Sequence, residues 1–425
     1  MKIRIANGRL IDPVNHIDAQ RDLYIAEGKI LAVGDVPDGF VADRTVDAKG
    51  MVVMPGLVDL SARLREPGFE YRATLESEMQ AAMAGGVTSL ACPPDTDPVL
   101  DEPGLVEMLC FRAKNMNCAH VYPVGALSFK LEGKRITEMA ELVEAGCVAF
   151  SQVNTPIVDT QVLMRAMQYA ATFGFRVWLQ PIDPFLSKGG VAHDGEVASR
   201  MGLAGIPVEA ETVALETYLS LARLTGVKLH LTRISSAAAI ECIERARAKG
   251  LDVTCDVAAH HLHLCDHDIG YFNPQCHVVP PLRSQSDRAA LRAALADGRI
   301  NAVCSDHTPV DDDGKQMPFA EAETGVTGLE LLLPLTLKWA QEEKLPLLKA
   351  LARVTADSAA IMGITKGGHL SPGARADVCV FDPEGWFKVS REALKSLGKN
   401  TPFLGLELPG VVRYTLVEGR IMFGA

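Results

Sequence analysis

The residues richest in chemistry gather behind one apolar run. Met51 to Leu60 has few polar interruptions and reads as a buried strand, and at its carboxyl end come Asp59, Ser61, Arg63, Arg65 and Glu66, all within Pro55–Gly68. Further along stand Arg233-Ile234-Ser235-Ser236, His260-His261-Leu262, and Ser305-Asp306-His307. A guanidinium carries no usable lone pair and does not deprotonate in proteins, so Arg63 and Arg233 can be neither metal ligands nor bases. Ser61 has no Gly-x-Ser-x-Gly elbow around it, which argues against a serine hydrolase. Asp306 could act as a general base, but the two arginines favour an internal salt bridge. His261, His263 and Cys265 alternate on a strand-like run and could form a soft metal site; no carboxylate–His spacing supports one, and backbone or water partners are the expectation.

The elements that must hold these residues repeat. From residue 52 a short apolar strand, a loop, a helix with 3–4 apolar spacing and usually a glycine recur eight times. The pattern predicts strands near 52–60, 87–92, 119–126, 147–151, 176–180, 228–234, 252–259 and 301–305. It predicts helices near 74–84, 103–115, 136–145, 159–173, 208–225, 236–249, 285–297 and 326–343. Eight such units imply an α/β fold, a (β/α)₈ barrel over 55–366 with its chemistry at the carboxyl ends of the strands. An open doubly wound sheet fits less well, because no strand is followed by a Gly-rich phosphate turn. Both ends of the chain show period-2 stretches instead: Ile3–Ile11, Asp22–Val33, Ala376–Phe381 and Val411–Phe423. Residues 1–54 together with 367–425 are therefore expected to form one small composite β-domain.

Bulk properties narrow the partners. With 425 residues, 48% hydrophobic and 22% charged, the chain has ample core for a large domain and a small one. A net charge of -11 argues against nucleic acid or an anionic membrane. The N-terminus lacks a signal-peptide apolar region, and the ten cysteines include no Cys-x-x-Cys, which suits reduced thiols and a cytoplasmic location.

The sequence resembles the dihydroorotases of the amidohydrolase superfamily along its whole length, most specifically at Pro55–Gly68, Gly189–Glu209, Pro280–Arg283, Ser305–Pro309 and Gly325–Glu330. That resemblance implies a metal site with ligands at positions 61, 63, 152, 180, 233 and 306. Here those positions hold Ser61, Arg63, Gln152, Gln180, Arg233 and Asp306, so only Asp306 keeps a ligand's chemistry. Arg65 matches the family's substrate-carboxylate arginine, although a buried ion pair with Asp95, Glu66 or Asp306 is the plainer reading. Asp95 stands where the family has a substrate-holding Asn, and Val279 replaces another. The loop from Val310 to Glu323 occupies the place of the loop that closes over substrate.

Three expectations follow from the resemblance. The first is a chain without a metal cofactor and without dihydroorotate hydrolysis, in which Asp306 and Arg65 are vestigial. It would act, like the inactive dihydroorotase-like chains of some bacteria, as a noncatalytic subunit of aspartate carbamoyltransferase in pyrimidine synthesis, packed against the catalytic chain in a 6:6 hetero-dodecamer. The others are an active cyclic amidohydrolase with a rebuilt site, and a sensor that binds a pyrimidine intermediate at Arg65.

Overall fold

A computed structural model of the chain describes residues 1–424. Eight parallel strands follow one another around a barrel: Leu57–Asp59, Val87–Cys92, His120–Ala126, Ala149–Ser151, Arg176–Leu179, Lys228–Leu231, Val253–Ala258 and Ala302–Cys304. Helices Leu75–Ala84, Pro103–Met116, Met139–Ala145, Thr160–Phe173, Glu209–Thr225, Ala237–Ala248, Gln285–Asp297 and Leu332–Glu342 pack outside them. This is the (β/α)₈ architecture that the repeating pattern predicts.

Burial on both faces explains the apolar strands. Val58, Ala91, Val124, Ala149, Trp178 and Ala258 fill the interior, while Leu57, Leu90, Phe150, Leu179 and Leu229 face the helices. Small interior side chains leave room for Trp178, so the barrel is a packed core rather than a pore. Helix ends are set locally: Thr74 accepts from Ser77 N at 3.1 Å, and Gly174 and Gly226 close their helices at φ 72°. The first and eighth strands meet just beyond their own ends. Arg63 N donates to His307 O at 2.9 Å and His307 N to Ser61 O at 3.1 Å. The seam of the barrel thus runs through the polar residues at its mouth.

Three local expectations need correction. The run 52–60 is two strands, because Gly56 turns the chain: Val52–Pro55 joins a terminal sheet and only Leu57–Asp59 enters the barrel. A Cβ at Gly56 would lie 2.2 Å from the Thr88 side chain, so only glycine allows that close passage. Ile3–Ile11 likewise breaks, at Asn7 (φ 64°), into Lys2–Ala6 and Arg9–Asp12, which lie in different sheets. The terminal segments consequently build two sheets. One has four strands from the N-terminal segment alone, and the other has six drawn from both ends. Ile3, Leu23, Ile25, Val53, Val378 and Leu416 share their core. The last barrel helix starts at Leu332 rather than near 326, since Thr327 and Gly328 are engaged by Asn400 and His307.

The periodicity also missed helices Leu347–Ala352 and Ala356–Met362. Ile361 and Met362 cap the interior core, and Val354 O accepts from Val58 N at 2.9 Å. This segment closes the end of the barrel opposite the mouth.

Candidate functional site

At the mouth, one carboxylate holds two guanidiniums. Arg63 follows the first strand, and its Nη1 reaches Asp306 Oδ1 at 3.3 Å and Thr308 Oγ1 at 2.9 Å. Arg233 follows the sixth strand, and its Nη1 donates to the same Asp306 Oδ1 at 3.0 Å. The other arm of Arg233 donates to Gln180 Oε1 and, at 2.8 Å, to Asn154 Oδ1. Arg63, Gln180, Arg233 and Asp306 are all buried. Hydrogen-bonded pairing is what allows charges to be buried at all.

Asp95 completes the cluster by accepting from Arg63 Nε at 2.7 Å. Burial is the largest single influence on the Asp95 carboxyl and would raise it, but the charge and hydrogen bond of Arg63, together with the charges of Arg65 and Arg233, outweigh it and hold that group below the ordinary range. For Arg63 burial lowers the pKa, while Asp95 and Asp306 more than reverse the effect. Its charge is locked in place.

The expected ion pair of Arg65 is absent. Its Nε donates to the carbonyl of Pro309 at 2.8 Å, because Asp95 is taken by Arg63, and Glu66 pairs with Arg112 and accepts from Leu75 N. Burial, followed by repulsion from Arg63, lowers the Arg65 guanidinium to about 10. The group remains cationic at neutral pH.

Backbone conformation marks the same region. Arg65 (φ 62°), Val153 (φ 50°), Arg233 (φ 55°) and Asp306 (φ 47°) are left-handed without being glycine. Each such residue costs on the order of 1–3 kcal/mol, and the cost is most unusual for a β-branched valine. Arg233 is held there by its own N–H, which donates to Asp256 Oδ1 at 2.7 Å.

Not every candidate converges. Ser61 lies at the seam, where its carbonyl accepts from His307 N. Gln152 turns away from the cluster, with its amide bonded to Ser128 Oγ at 2.9 Å and Leu131 O at 2.8 Å. The His261–His263–Cys265 site does not form. The chain there turns through a 3₁₀ segment, Ala259–Leu262, instead of a strand, and this splays the side chains. His261 Nε2 meets Pro281 O at 3.2 Å and His263 Nε2 meets Leu335 O at 2.9 Å. Among the described residues, the ligand-type side chains that lie close enough to share a cation are Cys265, Asp266 and His267, where His267 Nδ1 is already on Asp266 at 3.0 Å.

The loop after the eighth strand is tied down. Arg72 pairs with Glu323 at 2.6 Å, Arg391 with Asp312 at 2.6 Å, and Lys315 Nζ donates to Pro274 O at 3.0 Å and His277 O at 3.3 Å. Beneath it lies a cavity of about 330 Å³, lined by Arg63, Arg65, Arg72, Arg233, Asp306 and Glu323 among others. Asn154 and Arg72 are contributors that the sequence alone did not single out. Asn154 lies two residues beyond Gln152, and its polar amide just past a strand end was the available signal.

Known proteins place this geometry in a family. A dihydro-orotase-like family model matches residues 50–239, and an amidohydrolase family model matches residues 191–423. A dihydroorotase-like protein of Pseudomonas aeruginosa is 45% identical over 99% of both chains, and one of Pseudomonas putida is 44% identical over 100% of both. The chain is a dihydroorotase-like member of the amidohydrolase family. Other members of the dihydroorotase group lie somewhat further off: a protein of Syntrophus aciditrophicus named dihydroorotase is 40% identical over 100% of this chain and 99% of its own. Among solved structures, an L-hydantoinase of Arthrobacter aurescens superposes with a TM-score of 0.89 at 25% identity, covering 99% of this chain and 96% of that one. Within this dihydroorotase-like frame, the mouth offers one acid, Asp306, among the six positions named from the sequence, and no imidazole at any of them.

Proposed function

We propose that this dihydroorotase-like chain is a pseudoenzyme that serves as a noncatalytic subunit of aspartate carbamoyltransferase in pyrimidine synthesis. The observation that carries the inactive half of this reading is the contact of both Arg63 and Arg233 with Asp306 Oδ1, at 3.3 and 3.0 Å. A divalent cation bound to Asp306 would have to sit beside both guanidiniums. Even two unit charges at 4 Å repel by about 4 kcal/mol at an effective dielectric of 20, and a dication doubles that. Catalytic zinc sites need about three protein ligands, and this donor set does not fit one. Without a metal to lower its pKa, water is a poor nucleophile toward a cyclic amide at neutral pH. No hydrolytic step is therefore assigned to this mouth.

The partner half rests on the resemblance to inactive chains that pack with carbamoyltransferase. A barrel that keeps its seam, its turns and its closed loop while carrying arginines at the mouth retains a rigid body, which is what a scaffold must supply. Such a subunit stabilises its partner by mass action through added interface. Two experiments test the reading separately. Elemental analysis and a dihydroorotate assay on the purified chain should show neither stoichiometric metal nor turnover. Co-expression with the carbamoyltransferase catalytic chain should give a co-eluting hetero-oligomer with activity above that of the catalytic chain alone. Bound metal with hydrolysis would reinstate an amidohydrolase, the activity named for the Syntrophus relative; unchanged size and activity would end the scaffold reading.

A further inference from the structure

At the end of the barrel away from the mouth, a cleft of about 350 Å³ lies between the barrel and the six-stranded terminal sheet. Its walls come from the end of helix Pro103–Met116, the start of strand His120–Ala126 and the hairpin that joins Val417 to Arg420. The chain carries a net charge of -11, yet this cleft sets Lys114, Arg375 and Arg420 against the single carboxylate of Glu418. Asp377 lies behind the wall, where Arg375 at 3.1 Å and His120 at 3.2 Å already hold it. Counting it, three positive charges face two negative, and one is uncompensated. Lys114 also offsets the carbonyl end of its own helix, which accounts for one cation and not for the arginines.

The donors show the same surplus. Arg420 Nη1 meets Asn117 Oδ1 at 3.3 Å, and its Nε and Nη2 have no acceptor among the described residues. Arg375 Nη2 donates to Tyr122 Oη at 2.9 Å and its Nε lies against Asp377, which leaves Nη1 over. Lys114 is in no ion pair among the described residues. These groups are open to solvent: Lys114 and Arg420 are exposed, and the Arg375 side chain is 19% exposed.

We propose that this cleft binds a phosphate group, held jointly by Arg420, Arg375 Nη1 and Lys114. Two guanidiniums and an ammonium that converge from separate elements suit a tetrahedral oxyanion with acceptors on every side. The volume exceeds what one phosphate fills, and Ala113, Ala119 and Val121 make part of the wall apolar. The site therefore admits a small phosphate monoester, its organic part on the apolar wall, as well as free phosphate. A phosphate held there ties the barrel to the terminal sheet. This inference is independent of the metal-free reading of the mouth.

Phosphorus NMR titration of the full chain with inorganic phosphate, and separately with glycerol 3-phosphate, tests this at an ionic strength fixed by chloride. Saturable binding of at least one is expected, with a Kd between about 0.1 and 10 mM, within the ceiling for ligands of about five to ten heavy atoms. The tighter of the two names the source. Arg420→Gln should weaken binding about threefold or more, and Lys114→Gln added to it about tenfold. Arg223→Gln, which removes the same charge from an exposed position on helix Glu209–Thr225, should leave binding unchanged. Absence of saturation by either ligand, or an equal loss in Arg223→Gln, would overturn the proposal. So would binding that survives the double variant, because the phosphate would then sit elsewhere, as on the arginines of the mouth.

Discussion

Two polar networks are buried at the same end of the barrel, and they differ in how completely they close. The first joins Asp59, Ser305, His307 and Glu78. Asp59 accepts from Ser305 N at 2.8 Å and from its hydroxyl, and His307 Nε2 meets Glu78 Oε2 at 2.5 Å. His307 Nδ1 accepts from Gly328 N at 3.1 Å, which fixes the ring proton on Nε2, and Glu78 Oε1 accepts from Leu397 N at 3.2 Å. The second network joins Arg63, Asp95, Asp306, Arg233 and Gln180. There Arg63 Nη2, Asp95 Oδ1 and Gln180 Nε2 are buried without a protein partner. The closed network links the first strand, the first helix, the eighth strand and the C-terminal segment, so it is part of the frame. The open one borders the mouth cavity and leaves three buried polar atoms without a protein partner.

The comparison predicts unequal costs for removing one acid from each network. Glu78→Ala strips His307 and Leu397 N of their acceptor where no solvent reaches, and should cost about 3–5 kcal/mol, enough to lower soluble yield. Asp306→Ala frees two guanidiniums beside a cavity that admits water, and should cost about 1–3 kcal/mol. Urea unfolding of both variants gives the numbers. Equal losses, or a larger one at Asp306, would break the distinction between frame and site.

How much of this was legible in the sequence follows from how each feature is encoded. The barrel strands are short apolar runs, and the helices have regular spacing and glycine stops. Local pattern therefore located both to within a few residues. Gly56 and Asn7 divided strands that periodicity read as continuous, because a close approach to Thr88 and a left-handed turn are tertiary facts. At the mouth, residue types at the strand ends were visible, and so was the clash between arginine and metal. Which acid each arginine would choose was not visible. Arg63 spans both Asp95 and Asp306 because a long side chain can satisfy two partners, and this left Arg65 with only a carbonyl.

A second prediction sharpens the comparison through pH. His260 is buried with neither ring nitrogen bonded to a protein partner, and burial followed by the charge of Arg233 lowers its pKa to about 3. The unfolded value is 6.5, so the stability this neutral ring contributes is complete above that value and is lost as pH falls toward about 3. At pH 5 the loss amounts to about 2 kcal/mol. Asp59 works in the opposite sense: burial raises it to about 6, and stability linked to its protonated form is present below 3.8 and lost as pH rises through about 6. Unfolding free energies at pH 5 and 7.5 should therefore be compared between the wild-type chain and His260→Phe. The variant should gain about 2 kcal/mol on the wild type between the two conditions, whatever its absolute stability. An identical pH slope would place a proton or a water on His260 and move it into the open network.

The smallest effect concerns what fastens the loop over the open network. Arg391 and Asp312 pair at 2.6 Å, but their side chains are 48% and 57% exposed, and water competes for both. Exposed pairs contribute about 0.2–1 kcal/mol. Lys315, by contrast, is buried on the carbonyls of Pro274 and His277, and burial lowers its ammonium to about 8. If the buried lysine holds the loop, a double-mutant cycle on Arg391→Ala and Asp312→Ala should give a coupling below about 1 kcal/mol that fades in high salt. A larger, salt-resistant coupling would shift the fastening from the buried lysine to the rim and make the cavity beneath it easier to open than its walls suggest.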